Sequence, residues 1–374
     1  MKVAIVHPWF LEAGGAERVA GVIGSMFPKA DVFTFACDPN YLPVTLIGRR
    51  IVVSALNKAM LHGGALRNYM FPLYPWASES FDVSEYDLVI SSCPPVMGVN
   101  VRQDALHVCY CHTTQHSWWD QYAQHQVRLS LLKRNMFVWA AAHQRTWEYG
   151  AAQRIDDFAV NSHYVGKRLF KYFRRRGAVI YPPVNTAMGY LAGNHDNYYL
   201  TVSRLSASKR VDILIEACNR LKRRLVVVGS GRSEKDLKAI AGPTIEFTGS
   251  VSDADLPHLY AHARAFLFAA DEDFGMAPVE AQAFGRPVIA YGRGGSLESV
   301  RVADPSGNPD TGIYFSDQTA ESVTEAIHRF ENQEESFMPS AIQEHAQRFG
   351  VSNFVNEFTE FICNAQRNSQ GVDR

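Results

Sequence analysis

The chain has 374 residues, of which 47% are hydrophobic and 20% charged, and its formal net charge is −1. This composition indicates a globular protein long enough for two domains and excludes an intrinsically disordered chain. A net charge near zero argues against nucleic acid as the main partner, and no apolar run approaches the roughly 20 residues of a membrane-spanning helix. We therefore expect a cytoplasmic protein.

The first half of the chain alternates short apolar runs with helical patterns. A buried strand is predicted at Lys2–His7, followed by the glycine turn Gly14–Gly15 and a helix to about Met26. Three further strands are predicted at Asp31–Phe35, Tyr86–Ser92 and His107–His112. Because strands alternate with helices, the sheet is expected to be parallel.

The same alternation begins again after residue 197. The predicted elements are strands at Tyr198–Val202, Arg224–Gly229 and Thr244–Thr248 and a helix at Val211–Leu221. The turn-rich segments 181–186 and 193–197 separate the two series. The sequence therefore predicts an α/β protein with two doubly wound, Rossmann-like domains facing across a cleft. We place the N-terminal domain at 1–185, the C-terminal domain at 186–350 and a terminal helical segment at 351–374.

Residues 271–287, with the sequence DEDFGMAPVEAQAFGRP, form the most informative segment of the chain. The apolar run Ala265–Ala270 before it predicts a strand, Phe274–Gly275 predicts a turn, and Pro278 is favoured at the first position of a helix. At such a helix start, the backbone N–H groups of Gly275 to Val279 would face an anion such as a diphosphate.

Two glutamates flank this predicted helix start. Glu272 lies on the loop and Glu280 in the predicted first turn, and both are hydrogen-bond acceptors suited to the hydroxyls of a ribose or a hexose. A diphosphate with a sugar at each end fits the whole arrangement. In a simpler interpretation, Glu280 only complements the helix dipole, worth about 0.3–1 kcal/mol, and Asp271 and Glu272 form a solvated edge.

The pair Asp271-x-Asp273 looks like the metal-binding pair of another class of sugar transferases. An isolated Asp-x-Asp is a weak signal, and a divalent ion held by one or two carboxylates needs no such helix start. We predict no metal site and no cofactor.

Other candidate residues follow predicted strands. Arg204 and Lys209 come just after Val202, where two cations could clamp a diphosphate or could be ordinary surface charges. The Gly14–Gly15 turn would let a ligand approach the backbone, but it lacks the G-x-G-x-x-G spacing of a dinucleotide site. His112 ends a strand at the expected cleft and is either functional or a satisfied core histidine.

Basic and aromatic residues are concentrated between His116 and Arg176. They could form a surface for anionic lipid head groups, or the aromatics could be core residues and the cations solvated helix faces. The residues concerned are Trp118, Trp119, Arg128, Lys133, Arg134, Phe137, Trp139, Arg145, Trp147, Lys171, Tyr172, Phe173 and 174–176, together with Arg67, Tyr69, Phe71, Tyr74 and Trp76.

Taken together, these residues resemble the retaining GT-B glycosyltransferases of family 4, and closely the bacterial mannosyltransferases of O-antigen and exopolysaccharide assembly. The resemblance spans nearly the whole chain, and its specific part is the glutamate pair in EDFGMAPVEA. The other motifs that carry it are Met1–His7, Gly14–Arg18, Tyr86–Ser92, His107–Thr113, Val160–His163, Ile180–Val184 and Ser203–Leu205 with Lys209.

The resemblance implies a role for each candidate residue. Glu272 would bind the donor sugar, Glu280 the nucleotide ribose, and Arg204 and Lys209 the leaving diphosphate. In the second domain, backbone groups near the helix start would bind the donor, and the loop at Val251 would lie near the base. The first domain would contribute two further site residues. These residues are Phe274, Gly275, Met276 and Val251 in the second domain and Gly15 and His112 in the first.

The resemblance further implies a GT-B fold, transfer with retention and without a metal, and a terminal helix that crosses back to the first domain. The expected donor is GDP-mannose and the expected acceptor a polyprenyl-diphosphate-linked saccharide, on the inner face of the bacterial cytoplasmic membrane. UDP-glucose or another UDP-sugar is the alternative donor. A non-catalytic nucleotide-sugar-binding subunit and a nicotinamide-dependent dehydrogenase are the alternatives from other classes, and the glycine spacing disfavours the latter.

Overall fold

The computed structural model describes residues 1–62, 70–92, 94–127, 129–304 and 306–372. The chain divides into two compact units. Unit 1 comprises Met1–Pro183 and Phe354–Arg374, and unit 2 comprises Val184–Asn353. Residues 184–185, assigned from the sequence to the N-terminal domain, and residues 351–353, assigned to the terminal segment, lie in unit 2.

Unit 1 is built on a seven-stranded sheet in the order β3-β2-β1-β4-β5-β6-β7. Its strands are β1 Val3–Phe10, β2 Asp31–Cys37, β3 Ile51–Val53, β4 Leu88–Ser92, β5 Leu106–Cys111, β6 Asp157–Val160 and β7 Ala178–Val179. Its helices before the chain enters unit 2 are α1 Gly15–Met26, α2 Asn57–His62, α3 Tyr74–Glu79, α4 Tyr122–Val127, α5 Leu131–Gln153 and α6 His163–Phe173. All strand pairs are parallel, and the winding reverses between β1 and β4.

Unit 2 is built on a six-stranded parallel sheet in the order β10-β9-β8-β11-β12-β13. Its strands are β8 Tyr199–Val202, β9 Leu225–Val228, β10 Ile245–Gly249, β11 Ala265–Phe268, β12 Val288–Tyr291 and β13 Gly312–Phe315. The helices that follow β8 are α7 Val211–Leu221, α8 Glu234–Ile240, α9 Leu256–His262, α10 Met276–Ala283, α11 Ser296–Ser299, α12 Ala320–Asn332, α13 Pro339–Gln347 and α14 Val351–Val372. The predicted pair of doubly wound α/β units is thus confirmed.

From Phe354 onward, α14 belongs to unit 1. Its apolar face packs into a core cluster formed by strands β1, β4 and β5. The rings of Phe354 and Phe358 lie 5.6 and 6.0 Å from the ring of Tyr110, which is fully buried. None of the described helices is both long and apolar enough to cross a membrane.

The basic and aromatic residues between 116 and 176 do not form one surface. Trp118 and Phe173 are buried, and Trp119 stacks on Tyr172 with ring centres 4.7 Å apart. Arg175 donates to backbone carbonyls, including that of Ile155 at 2.7 Å. The prediction of a single surface was therefore wrong for Trp118 and Phe173, because tertiary packing buries them, while Trp119, Tyr172 and Arg175 are part-buried. Arg67, Tyr69 and Arg128 lie outside the described residues.

Helix α5 carries a carboxyl group in the core of unit 1. Glu148 is fully buried, and its Oε2 accepts a hydrogen bond of 2.7 Å from Trp119 Nε1. Burial raises the pKa of Glu148 to about 7, because the charged form loses its hydration, although the hydrogen bond from Trp119 opposes the shift. Unit 1 therefore contains a core carboxyl that titrates near neutrality.

We expect Glu148→Gln to stabilise unit 1 at alkaline but not at acidic pH. A folded-state pKa of about 7 above the ordinary value of 4.5 means that the folded form binds the proton more tightly, so stability falls as pH rises across this window. The gain over the wild type should be at most about 3 kcal/mol at pH ~8, since one pKa unit is worth about 1.4 kcal/mol. Urea unfolding followed by tryptophan fluorescence at pH ~5 and ~8 measures it, and a gain equal at both values would contradict the assignment.

Candidate active site

The candidate residues of unit 2 lie where the winding of its sheet reverses. Strands β8 and β11 are neighbours in the sheet although β9 and β10 come between them in sequence. Arg204 and Lys209 follow β8, and Glu272 and Gly275 follow β11. Open parallel sheets bind ligands at this point, beyond the carboxyl ends of the two strands.

Lys209 and Glu272 contact each other directly. Lys209 ends a short 3-10 turn, and its Nζ donates to Oε1 of Glu272 in an ion pair whose side chains are both part-exposed. Arg204 is exposed on the same loop as Lys209. The fold therefore brings together a cation and a carboxylate that the sequence places 63 residues apart.

Helix α10 begins earlier than the sequence predicts. Its first residue is Met276, and Gly275 caps it with φ of 82°, a left-handed conformation that favours glycine. The prediction that Pro278 comes first was wrong: it is the third residue, still in the first turn where its missing N–H is not needed. By helix geometry, the N–H groups of Gly275, Met276 and Ala277 have no acceptor within the helix and can donate to an anion.

Glu280 consequently lies in the second turn of α10 and not, as predicted, in the first. Its Oε2 accepts a hydrogen bond of 2.7 Å from the hydroxyl of Tyr260, which is on α9. The Tyr260 ring is buried and stacks on Phe284 with centres 5.6 Å apart. Tyr260 was not predicted as a site residue, because no motif marks a tyrosine 20 residues before the glutamate it orients.

Phe274 and Val251 have less direct positions. The Phe274 side chain is buried and packs on Phe349, with ring centres 5.4 Å apart, so any contact with a ligand would come from its backbone. Val251 follows β10, which β9 separates from β8 in the sheet. Ser230 connects the loop after β10, which carries Val251, with the loop after β8, which carries Arg204. Its Oγ lies 3.1 Å from Ser250 Oγ, and its carbonyl accepts a hydrogen bond from Leu205 N–H at 2.9 Å.

Two pairs of glycines hold the site loops by backbone contact. A Cβ atom on Gly229 or Gly231 would overlap the carbonyl oxygens of Ser203 and Leu205, on the loop that carries Arg204. A Cβ atom on Gly294 or Gly295 would likewise overlap the backbone of residues 272–274. The Gly295 N–H also donates to the Glu272 carbonyl at 2.8 Å. Gly294 and Gly295 therefore support the Glu272 loop.

The two aspartates of the acidic loop have separate surroundings. Asp271 Oδ2 lies 3.2 Å from Arg293 Nε, on the glycine-rich segment that supports the loop. Asp273 lies directly before the buried Phe274 and is itself part-buried. Among the described residues, no group of three or more His, Cys, Asp or Glu side chains is arranged to hold a metal ion.

Gly15 and His112 lie in unit 1, apart in sequence from the other candidates. Gly15 is the first residue of α1, and Gly14 caps that helix in an extended conformation. His112 directly follows β5 and is buried, with Nε2 at 2.8 Å from the Oγ of Ser92. His112 is thus connected to the end of β4, the strand at which the winding of this sheet reverses.

Comparison with known proteins defines the class of this molecule. A model of the family described as glycosyl transferases group 1 matches residues 190–349. The fold is similar to that of HepE from Anabaena, whose crystal structure is a complex with UDP. The TM-score is 0.71 and the sequence identity 18%, over 97% of this chain and all of the HepE chain. Together with the two Rossmann-like units and the site at the β8/β11 reversal, these findings make the chain a glycosyltransferase of GT-B fold.

Named relatives are found among mannosyltransferases. The chain is 25% identical over 376 residues to the alpha-1,3/1,6-mannosyltransferase ALG2 of Kluyveromyces lactis, an alignment that covers 80% of this chain and 71% of the relative. It is 26% identical over 148 residues to the O-antigen chain mannosyltransferase C of Escherichia coli, covering 38% of each.

We expect Gly295→Ala to damage the site without unfolding unit 1. The added methyl must push away the backbone at Phe274 and with it the Glu272 loop, at a cost of about 1–3 kcal/mol. Nucleotide-sugar affinity, measured by calorimetry, should fall at least about 10-fold. Gly193→Ala is the matched control, because a Cβ atom there meets no atom within 4 Å; equal affinities in the two variants would contradict the role of the glycine contact.

Proposed function

We propose that the chain is a retaining, metal-independent α-mannosyltransferase of glycosyltransferase family 4 that uses GDP-mannose. The observation that carries the proposal is the meeting of Lys209, Glu272 and the Gly275-capped start of α10 at one point of the unit 2 sheet. This arrangement offers a cation and backbone donors to a diphosphate and a carboxylate to sugar hydroxyls. The mannosyl specificity is supported by the names of both relatives.

In this proposal the donor lies along the carboxyl edge of the unit 2 sheet. The diphosphate binds Arg204, Lys209 and the N–H groups of Gly275 and Met276. Glu280, oriented by Tyr260, accepts from the ribose hydroxyls, and Glu272 accepts from the mannose hydroxyls. Val251 borders the base, on the loop that Ser230 connects to the loop of Arg204.

The chemical step is a front-face transfer. As the bond between mannose and the diphosphate lengthens, negative charge grows on the leaving diphosphate, and Arg204, Lys209 and the positive end of the α10 dipole stabilise it. The Lys209–Glu272 ion pair holds both charges at the place where the bond breaks, so little reorganisation is required. The acceptor hydroxyl attacks from the same face, which retains the anomeric configuration, and gives up its proton to the departing phosphate oxygen.

The alternative within this enzyme class is a UDP-sugar donor, which is supported by the presence of UDP in the HepE complex of similar fold. The diphosphate and ribose are common to both donors, so Arg204, Lys209, α10 and Glu280 suit either. A non-catalytic nucleotide-sugar-binding subunit would bind the donor and transfer nothing.

The test is a calorimetric titration with GDP-mannose, UDP-glucose, GDP and UDP, in buffer containing a chelator. We expect GDP-mannose to bind, and Glu280→Gln to weaken it about 10- to 100-fold, the usual effect of losing a hydrogen bond to a charged group. Tyr260→Phe, which keeps the carboxylate and removes only its partner, should weaken binding less. Binding of UDP-glucose alone would overturn the mannose assignment, and donor binding without sugar transfer to a lipid-linked acceptor would leave the non-catalytic subunit.

For the acceptor we propose a polyprenyl-diphosphate-linked saccharide, with the enzyme peripheral on the inner face of the bacterial cytoplasmic membrane. The support is the first part of α5 in unit 1. Leu132, Met136 and Trp139 are 73%, 65% and 70% exposed there, beside the exposed cations Lys133 and Arg134. Residues 131–147 contain no acidic side chain, so this face is complementary to an anionic lipid surface.

A cavity of about 560 Å³ in unit 1 lies against the same helix. Met136, Phe137 and Lys133 of α5 line it together with Trp118 and with Trp9, near the end of β1. Its wall is mostly apolar, and the charged residues Lys133 and Glu12 are also part of it. Such a cavity suits an amphiphilic ligand with a sugar head, as a lipid-linked acceptor has.

We expect Met136→Glu to weaken binding to vesicles that contain anionic lipid, because it places a negative charge on the exposed apolar face. The matched control is Met338→Glu in unit 2, a methionine of similar exposure at 51%. In co-sedimentation with phosphatidylglycerol vesicles, Met136→Glu should lose most of the bound fraction and Met338→Glu almost none. Binding that is insensitive to salt and to anionic lipid, or equal in both variants, would contradict the proposal.

A further inference from the structure

A chain of buried polar groups runs through unit 1 to His112. His7 and Ser92 lie at the reversal between β1 and β4, with His7 Nδ1 at 3.0 Å from Ser92 Oγ. Ser92 Oγ in turn lies 2.8 Å from His112 Nε2. At the other end, His7 Nε2 lies 3.8 Å from Oε1 of Glu17, which is in the first turn of α1. All four residues are buried.

We propose that Glu17, His7 and Ser92 are positioning residues that fix the tautomer of His112. Only the expected effect of this tautomer on sugar transfer rests on the proposed function. At 3.8 Å the Glu17 carboxylate is too far from His7 Nε2 for a hydrogen bond, but its negative charge repels a lone pair there and so favours His7 with the proton on Nε2. His7 Nδ1 is then an acceptor and takes the Ser92 hydroxyl proton. Because a hydroxyl has one proton, Ser92 Oγ must accept from Nε2–H of His112. His112 is thereby held as the tautomer whose Nδ1 accepts hydrogen bonds.

Burial gives this direction its strength. Reversing the whole chain would keep both hydrogen bonds of Ser92 but would turn the lone pair of His7 Nε2 toward the Glu17 carboxylate, which is unfavourable among buried groups. The start of α1 adds a favourable dipole for the Glu17 charge. Gly14 makes room for that carboxylate, since a Cβ atom at Gly14 would lie 2.5 Å from Glu17 Oε2.

Other contacts fix the place of the ring as well as its tautomer. Asn161 Nδ2 donates to the His112 carbonyl at 2.7 Å, and the Tyr110 ring packs edge-on against the imidazole with centres 4.9 Å apart. In the proposed function, Nδ1 of a histidine held in this way can accept a hydrogen bond from a sugar hydroxyl and orient it. The GGAER segment therefore has a role besides its glycine turn: its glutamate sets the polarity of a chain that ends at His112.

The chain contains a matched control one residue away. Ser91 Oγ lies 2.9 Å from Nε2 of His107, which is another buried serine–histidine pair. Successive residues of a strand point to opposite faces, so Ser91 lies on the other side of β4 from Ser92. Burial lowers the pKa of His107 to about 3, so that imidazole is neutral. Ser91→Ala removes the same kind of hydrogen bond without touching the chain to His112.

The experiment is two-bond ¹H–¹⁵N NMR of the imidazoles in the full ¹⁵N-labelled chain, with the His112 signals identified by their loss in His112→Gln. We expect His112 to carry its proton on Nε2. Ser92→Ala should convert it to a mixture of tautomers, as should Glu17→Gln, whose amide can donate to His7 and so reverse the chain. Ser91→Ala should leave His112 unchanged. A His112 with its proton on Nδ1, or one that neither variant alters, would overturn the proposal.

Kinetics provide the second measurement. With GDP-mannose as donor, Ser92→Ala and Glu17→Gln should lower kcat about 3- to 10-fold, as expected for losing one neutral hydrogen bond, with donor affinity unchanged. Ser91→Ala should keep the wild-type kcat. Equal losses of kcat in Ser91→Ala and Ser92→Ala would reduce the chain to a structural role. The tautomer is measured without any substrate, so failure of the mannosyltransferase assignment would leave the NMR result standing.

Discussion

Backbone-to-backbone contact at four glycines is the constraint on which the unit 2 site depends. Gly229 and Gly231 let the chain pass directly over the loop after β8, and Gly294 and Gly295 do the same for the loop after β11. Any side chain at these positions would separate the layers. Because β8 and β11 are adjacent, the two supported loops leave the sheet side by side, and Lys209 meets Glu272. The site is preorganised by the absence of side chains as much as by charged groups.

Unit 1 uses the same winding for a different purpose. Its reversal between β1 and β4 brings together His7 and Ser92, which are 85 residues apart in sequence. In unit 2 the groups at the reversal are part-exposed and charged, and are suited to a diphosphate that brings its own charge. In unit 1 they are buried, and in a medium of low polarity each must find a partner. Because the Ser92 hydroxyl has a single proton, the hydrogen bonds on its two sides must run in the same donor-to-acceptor direction. In a solvated cluster, water can donate to or accept from each group independently.

Local sequence patterns predicted the elements whose position depends on neighbouring residues in the chain. The bounds of α7, Val211–Leu221, follow from its apolar spacing, and the strand, loop and helix around Glu272 follow from an apolar run, a glycine turn and a proline. The start of α10 was misplaced by two residues, because the left-handed Gly275 begins the helix before the proline that marked it.

What the sequence did not reveal depends on register and on packing. Ser92 meets His7 only because Val6 pairs with Ser91 in the parallel ladder, and no local pattern fixes that register. Tyr260 and the paired glycines lack a motif for the same reason. The basic and aromatic segment shows a further limit: Trp118 and Trp139 look alike in sequence, yet one is buried and the other is 70% exposed.

GDP-mannose is the proposed donor and a UDP-sugar the alternative, and the geometry of the unit 2 site suits both. In the proposed function, the groups at the β8/β11 reversal bind what all nucleotide diphosphate sugars share, namely the diphosphate, the ribose hydroxyls and the sugar hydroxyls. Likeness to a UDP complex at 18% identity shows the fold and does not separate the two donors. The alignment with ALG2 of Kluyveromyces lactis covers 80% of this chain, so it includes residues outside the groups at the β8/β11 reversal. Because that alignment reaches beyond the diphosphate site, it supports the proposed mannose donor, whereas the likeness in fold suits either donor.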